Sequence, residues 1–130
     1  MENKVCLDSN FLIDLLRNKK TAVEWLENNK EKQFCTTSIN VFELFYGAYK
    51  SNKGTEIDSC ESLFEGLPIL NLTERSAKKA GKIAATLDKN GKHKDFRDIL
   101  IASVAITKNI GLKTENKKDF ENIEGLRLVV

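Results

Sequence analysis

The sequence predicts an α/β fold, a three-layer sandwich in which helices cover both faces of a mostly parallel sheet of four or five strands. Short apolar segments of strand length alternate along the chain with segments whose apolar residues recur at helical spacing. Helical connections between strands favour right-handed crossovers onto a parallel sheet. The 130 residues, 41% of them hydrophobic and 31% charged, predict one compact domain over residues 1–130.

The N-terminal half predicts two strands, each followed by helix. Residues 4–7 form an apolar run typical of a strand, and a helix follows it; another helix is predicted at residues 21–28. Residues 33–37 predict the second strand, after which Ser38 is suited to cap a third helix. The apolar positions that indicate the three helices are Phe11, Leu12, Leu15 and Leu16, then Val23, Trp25 and Leu26, then Val41, Leu44, Phe45 and Ala48.

The C-terminal half continues the alternation of helix and strand. Its longest predicted helix has an apolar side, and its last helix is apolar almost throughout, so we expect the last helix to be central. The predicted elements are a helix at 55–65, a strand at 67–70 with Leu72, helices at 73–88 and 96–107, a strand starting at 111–114 and a candidate fifth strand at 126–130. The side of the longest helix predicted to be buried carries Ala77, Ala80, Ile83, Ala84 and Leu87.

Composition excludes several classes of protein. No apolar run reaches 18 residues and no basic and apolar leader precedes the first strand, so we expect neither membrane insertion nor secretion. The chain has three cysteines, an odd number, and no Cys-x-x-Cys motif. This pattern indicates a protein of a reducing, cytoplasmic compartment. The sequence has a single histidine, His93, which lies in a polar loop. A zinc site would therefore lack ligands, and a histidine-based triad would lack a base. The glycine patterns of dinucleotide and phosphate loops are missing.

Basic residues are concentrated in the second half of the chain. The net charge is +2 overall, but residues 1–65 sum to −3 and residues 66–130 to +5, which suggests an anionic partner. Four cations at helical spacing share one face of the longest helix, and a solvated outer face is favoured over substrate binding as their explanation. Those four are Arg75, Lys78, Lys79 and Lys82.

The residues best suited to chemistry are acidic and lie near predicted strand ends or helix starts. Parallel strands place their carboxyl ends at one edge of the sheet, where functional clefts form. Carboxylates that meet there repel one another, and a divalent cation relieves that repulsion. Ligands that are all oxygen favour Mg²⁺ or Mn²⁺ over zinc. The candidate residues are Asp8, Glu43, Asp98 and Asp119.

Each of these carboxylates also has a structural explanation. Asp8 is placed to cap the helix that follows it, and Asp95-x-x-Asp98 is typical of a helix start. Glu43 stands among aromatic and aliphatic residues, where a carboxylate without a partner is unfavourable, unless the helix turns it outward. Asp119 is also compatible with an ordinary loop.

Four segments of the chain carry these residues in order: residues 5–14 (VCLDSNFLID), 37–47 (TSINVFELFYG), 98–102 (DILIA) and 113–120 (KTENKKDF). Together they resemble the four motifs of PIN-domain ribonucleases, and their order and spacing are similar to those of VapC-type toxins of toxin–antitoxin modules. The resemblance covers essentially the whole chain. It implies a single PIN domain with a PIN-like α/β/α sandwich, and hydrolysis of RNA phosphodiester bonds with Mg²⁺ or Mn²⁺.

The resemblance also implies roles for individual residues. The metal ligands and catalytic carboxylates carry over onto Asp8, Glu43 and Asp98. An aspartate found in some members two residues after the threonine is Asn116 here, so the fourth carboxylate is assigned to Asp119. Asn40 stands where a threonine is common. The residues expected to bind the substrate are Lys113, Thr114, Asn116, Lys117 and Lys118.

The resemblance implies partners as well: an RNA substrate, a VapB-type antitoxin whose tail lies across the acidic cleft, and a second copy in a homodimer. Two other classes of protein are each excluded by one residue. A haloacid dehalogenase-type phosphatase needs an aspartate where Asn10 stands, and a receiver domain needs one at the end of the third strand, where Asn71 stands. The remaining alternative is a non-catalytic PIN-like module that binds RNA or a basic peptide.

Overall fold

The computed structural model describes residues 3–130, and the sheet within them has four parallel strands. The strands are β1 (Lys4–Leu7), β2 (Gln33–Thr37), β3 (Ile69–Leu70) and β4 (Gly111–Lys113). The helices are α1 (Ser9–Leu16), α2 (Lys20–Glu27), α3 (Ser38–Ser51), α4 (Gly54–Glu65), α5 (Glu74–Lys89) and α6 (Phe96–Thr107), and a 3₁₀ turn covers Lys117–Asp119. The predicted α/β fold is confirmed.

The strand order β3-β2-β1-β4 places β1 in the middle of the sheet. Cys6 of β1 is in register with Cys35 of β2 on one side and Leu112 of β4 on the other. Val5 and Leu7 face a core formed with α1 to α4, whereas Cys6 faces a second core formed with α5 and α6. Because both faces of β1 are covered, its sequence is apolar without alternation.

The predicted fifth strand at residues 126–130 does not form: the sheet of the described residues has four strands. In the part of the chain that the structure describes, residues near the C-terminus make one isolated bridge, in which Leu128 pairs with Leu112. Leu112 N donates to Arg127 O at 2.9 Å and Val129 N donates to Leu112 O at 2.8 Å. A Cβ atom built on Gly111 would lie 2.7 Å from Val129 Cγ2 and 2.6 Å from the flexible end of the Arg127 side chain, so a larger residue would displace these side chains where the segment runs beside β4.

Two details of the helices differ from the sequence prediction. The N-cap of α3 is Thr37 rather than Ser38, because the Thr37 side chain accepts from Asn40 N while the Asn40 side chain accepts from Thr37 N. In α5 the buried residue of the first turn is Ser76, which forms a capping box with Thr73, and Ala77 is exposed. Ser76, Ala80, Ile83 and Leu87 follow helical spacing on one face, so the buried stripe of α5 begins with a polar residue that an apolar pattern does not mark.

No helix within residues 3–130 combines the length and the apolar character that crossing a membrane requires.

Candidate active site at the carboxyl edge of the sheet

An open cavity of about 480 Å³ lies where β1 ends and α3 and α6 begin. All four predicted carboxylates line it, together with a fifth carboxylate and one arginine. Its lining residues are Asp8, Ser9, Asn10, Ile13, Glu43, Asp95, Arg97, Asp98, Asn116 and Asp119. The convergence follows from topology, because parallel strands deliver their carboxyl ends to the same edge of the sheet.

Asp8 is held in place by neutral hydrogen-bond donors. Its side chain is 4% exposed; Thr114 Oγ1 donates to Oδ2 at 2.7 Å, and Asn40 Nδ2 donates to Oδ1 at 3.1 Å. Asp8 occupies the N-cap position of α1 but makes no side-chain cap bond there, so the capping explanation fails for it. Burial raises the pKa of Asp8, the hydrogen bonds from Thr114 and Asn40 lower it, and the charge of Asp119 raises it further.

Asn40 connects Asp8 to the rest of the site. Its side chain is fully buried, and besides Asp8 its Nδ2 donates to Ser9 Oγ at 2.9 Å. Its Oδ1 accepts from Thr37 Oγ1 at 2.6 Å. Among residues 3–130, no fully buried side-chain nitrogen or oxygen lacks a hydrogen-bond partner. Asparagine at this position therefore supplies donors and an acceptor at once, in a fixed arrangement.

Glu43 turns into the cavity although its neighbours on α3 are aromatic. Phe42 is 55% and Tyr46 52% exposed, whereas the Glu43 side chain is 20% exposed. Ser9 Oγ donates to Glu43 Oε1 at 2.6 Å. Burial is the main cause that raises the pKa of Glu43, the bond from Ser9 lowers it, and the charge of Asp8 raises it again. The outward orientation considered from the sequence is wrong.

Asp98 lies in the first turn of α6 and is strongly affected by the other carboxylates. Asp95 supplies the cap of this helix, because its side chain accepts from Arg97 N at 2.8 Å. Burial raises the pKa of Asp98 to about 7, and the charges of four other carboxylates contribute, in the order Asp119, Asp8, Asp95 and Glu43. The Asp98 carboxyl therefore keeps its proton to a much higher pH than an ordinary aspartate does.

Asp119 and Asn116, the two candidates for the fourth position, both line the cavity. Asp119 ends the 3₁₀ turn and is exposed, yet its charge raises the pKa values of both Asp8 and Asp98. Asn116 precedes that turn, and its backbone N–H donates to Thr114 Oγ1 at 3.1 Å. Asp119 therefore interacts electrostatically with the other carboxylates of the site.

The other predicted substrate residues lie outside the cavity lining. Thr114 is buried beneath it with its hydroxyl bonded to Asp8. Lys113 is also buried: its Nζ lies 5.0 Å from the Trp25 ring centre, 5.6 Å from that of Phe11, and 3.4 Å from a carboxylate oxygen of Glu115. Lys117 and Lys118 are exposed. Their contact with a substrate stays a prediction.

Sequence reasoning missed five residues that line the cavity: Ser9, Asn10, Ile13, Asp95 and Arg97. The four polar ones lie within three positions of a predicted carboxylate, which is the signal that was available. Direction could not be read from that spacing, because neighbouring residues of a helix point to different sides.

The donor chemistry of the cavity fits a hard divalent cation. Its acidic residues offer carboxylate oxygens, and Asn116 adds an amide oxygen. Within residues 3–130, no three or more histidine, cysteine, aspartate or glutamate side chains form a group that could hold a metal ion as they stand. Mg²⁺ generally uses one or two protein carboxylates and completes its shell with waters and substrate phosphates, so it does not require a closed protein cage.

Comparison with known proteins gives consistent results. Residues 5–126 match the model of the PIN-domain family. Ribonuclease VapC2 of Haemophilus influenzae is 33% identical over 125 residues, and the tRNA(fMet)-specific endonuclease VapC of Shigella flexneri is 30% identical over 125 residues; each match covers 95% of both proteins. A crystal structure of VapBC2 from Rickettsia felis, bound to a DNA fragment from its promoter, contains a chain that superposes with a TM-score of 0.87 at 29% identity, covering 97% of both chains.

Proposed function

The chain belongs to the PIN-domain family, and from that premise we propose that it is a VapC-type endoribonuclease toxin that hydrolyses RNA phosphodiester bonds with Mg²⁺ or Mn²⁺. The observation that carries the proposal is the convergence of Asp8, Glu43, Asp98 and Asp119 on one cavity. The raised pKa of Asp98, about 7, supports it, because strongly perturbed carboxylates in a cleft are typical of active sites.

Asp8, Asp98 and Asp119 would hold the cation, with Glu43 beside them. When bound, such a cation supplies a water of lowered pKa and a positive charge that offsets charge developing on the phosphate. It would also remove the repulsion that raises the pKa of Asp98. The donor set, all oxygen, supports Mg²⁺ or Mn²⁺ over zinc.

The chain's own residues have separate tasks in this proposal. Asp8 keeps a fixed orientation because Thr114 and Asn40 bind its two oxygens. Glu43, which Ser9 holds in place, accepts a proton from the attacking water. Burial raises the pKa of Glu43 and makes it a stronger base than an exposed glutamate. Direct contact of Glu43 with the cation is an equally available task.

The partners follow from the relatives and from charge. A structural neighbour is a VapBC complex, which supports a VapB-type antitoxin as the partner of this chain. The five carboxylates of the cavity suit a basic side chain of an antitoxin tail. We further propose that the chain is a homodimer and that it acts in the cytoplasm, which the three free, buried cysteines support.

A cleavage assay tests the function. We expect the purified chain to cut bulk tRNA with Mg²⁺ or Mn²⁺ and to lose that activity in excess chelator, with recovery when the cation is restored. Asp58→Asn, which removes an exposed carboxylate of α4, serves as a matched control and should cleave as the wild type does. Full activity in chelator would contradict the metal proposal. Cation-supported binding of RNA without any cleavage would instead indicate the non-catalytic module, which the ribonuclease names of the relatives do not favour.

A further inference from the structure

Arg97 is the cationic side chain that the structure places among the carboxylates of the cavity. It lies in the first turn of α6, one residue before Asp98. Its Nε is 3.3 Å from Asp95 Oδ1, and one terminal nitrogen is 3.3 Å from Asp95 Oδ2. Its Nε is also 3.9 Å from Glu43 Oε2. The guanidinium thus lies between the two sides of the cavity.

The surroundings of Arg97 create a problem for any anionic substrate. Among the described residues that line the cavity there are five carboxylates and a single cation, Arg97. Carboxylates repel a phosphate backbone, so a positive group of the protein beside a bound cation favours the binding of a substrate phosphate. Lys113, which the sequence suggested for this contact, is buried against Trp25 and Phe11 instead.

A purely structural role does not account for the Arg97 side chain. The cap of α6 uses the backbone N–H of Arg97, so it does not depend on the guanidinium. The side chain is 50% exposed, and ion pairs at exposed positions contribute little to stability. A guanidinium carries five N–H donors in a planar fork that matches phosphate oxygens. Donors therefore remain for a ligand while Asp95 orients the group.

We propose that Arg97 binds a phosphate of the RNA strand at the cavity, with Asp95 orienting its guanidinium. This assignment rests on the proposed ribonuclease function, because it deepens the account of how that site holds its substrate. Arg97 acts by direct contact with the substrate backbone, so it contributes to affinity for RNA of any sequence.

The test measures RNA binding in proteins that carry Asp8→Asn to prevent cleavage. Labelled bulk tRNA is titrated with the Asp8→Asn parent, and with parents that also carry Arg97→Ala, Arg97→Lys or Arg75→Ala, over a series of salt concentrations with Mg²⁺ present. Arg75 is an exposed arginine of α5 outside the cavity lining and is the matched control. Thermal melts of each protein show whether it is folded.

We expect Arg97→Ala to weaken binding about tenfold, the loss of one charge-assisted hydrogen bond. The slope of log K against log salt should fall by about 0.7 to 0.9, the value for one phosphate contact. Arg97→Lys should keep most of the slope because it keeps the charge, and Arg75→Ala should match the parent. A merely structural role would leave the slope unchanged.

Three results would overturn the assignment: an unchanged slope for Arg97→Ala, an equal loss for Arg75→Ala, or no tRNA binding by the parent. If Arg97→Ala does not fold, Arg97→Gln, which keeps a long polar side chain but removes the charge, takes its place: a slope lower by about 0.7 to 0.9 supports the phosphate contact, and an unchanged slope contradicts it. Cleavage of the same tRNA by the wild type is measured separately. Absence of cleavage would reject the proposed function while the slope still reports on Arg97.

Discussion

Asp8 and Asp98 face the same cavity from two walls that hold their carboxylates by different means. In the strand wall, formed by Asp8, Asn40 and Thr114, neutral side chains donate to both oxygens of a buried carboxylate. The helix wall is formed by Asp95, Arg97 and Asp98, and Arg97 lies 3.3 Å from an oxygen of Asp95. After burial, the negative charges of four other carboxylates raise the pKa of Asp98.

The two walls differ in what they control: the strand wall fixes the orientation of Asp8, and the helix wall sets the charge state of Asp98. Neutral hydrogen bonds lower the pKa of Asp8 against the effect of burial and fix its direction, with or without a cation. The helix wall lacks such compensation for Asp98, so its pKa rises to about 7 and its charge state depends on what binds. We expect loss of the neutral donors of the strand wall, Asn40 and Thr114, to disturb the fold, and substitutions in the helix wall to disturb cation and substrate binding.

The largest effect is expected on cleavage, where both walls are needed. Asp8→Asn and Asp98→Asn should each lower kcat/KM by more than about a hundredfold, beyond the 10- to 100-fold typical of residues that only support metal ligands. Asparagine keeps the shape of aspartate but cannot supply a negative ligand. Initial rates on bulk tRNA with Mg²⁺ measure this, and wild-type rates in both variants would remove these residues from the site.

The second prediction concerns stability and contrasts two asparagines. Asn40→Ala removes one hydrogen bond each from the buried Asp8 carboxylate, Ser9 and Thr37, so it should lower the free energy of unfolding by about 2 to 3 kcal/mol. Asn116→Ala changes an exposed residue of the same cavity and should cost less than about 0.5 kcal/mol. Urea unfolding in chelator distinguishes them; equal losses would show that the Asn40 network is not the stabilising element.

The smallest effect has the opposite sign and belongs to the helix wall. The pKa of Asp98 rises on folding from 3.8 to about 7, so the folded state binds more protons between these values and its stability falls as pH rises through that window. Asp98→Asn should therefore raise Tm at pH 7.5 in chelator by about 2 to 5 °C, a range reduced for the partial solvent exposure of the group.

The same variant should gain less at pH 5, where protonation has already relieved part of the repulsion in the wild type. It should also lose most of the stabilisation that added Mg²⁺ gives the wild type. Thermal melts at both pH values, with Asp58→Asn as the control, provide the measurement. A variant that melts lower than the wild type at pH 7.5, with no response to Mg²⁺, would indicate that Asp98 is only a favourable charge at a helix start.

Much of the fold was predictable because it is encoded locally. Apolar runs predicted all four strands, and a helix was predicted at each of the six places where the described residues form an α-helix; apolar positions at helical spacing indicated most of them. Errors arose where a local pattern competes with longer contacts. Residues 126–130 have a strand-like composition, yet they pair with β4 through a single bridge between Leu128 and Leu112. In α5 the buried face begins at Ser76, which also forms a capping box with Thr73, and not at Ala77.

The candidate site was predictable in its residues more than in their surroundings. The four carboxylates were identified because strand ends and helix starts can be located from sequence. Hydrophobicity alone would place Phe42 and Tyr46 inside and Glu43 outside, but the structure has the reverse. The hydrogen bond from Ser9 at the start of α1 holds Glu43 inward. The burial of Lys113 against two aromatic rings depends on α1 and α2 packing beside β4.

The sequence by itself determined which acidic residues this protein has, the elements that carry them, and the edge of the sheet at which they meet. Only the tertiary structure decided how each one is held. Asn40 reaches Asp8 across 32 positions of the chain, and Thr114 reaches it across 106. Such bonds depend on β1 lying between β2 and β4, an order that periodicity does not encode, since apolar spacing specifies a buried face and not its neighbour.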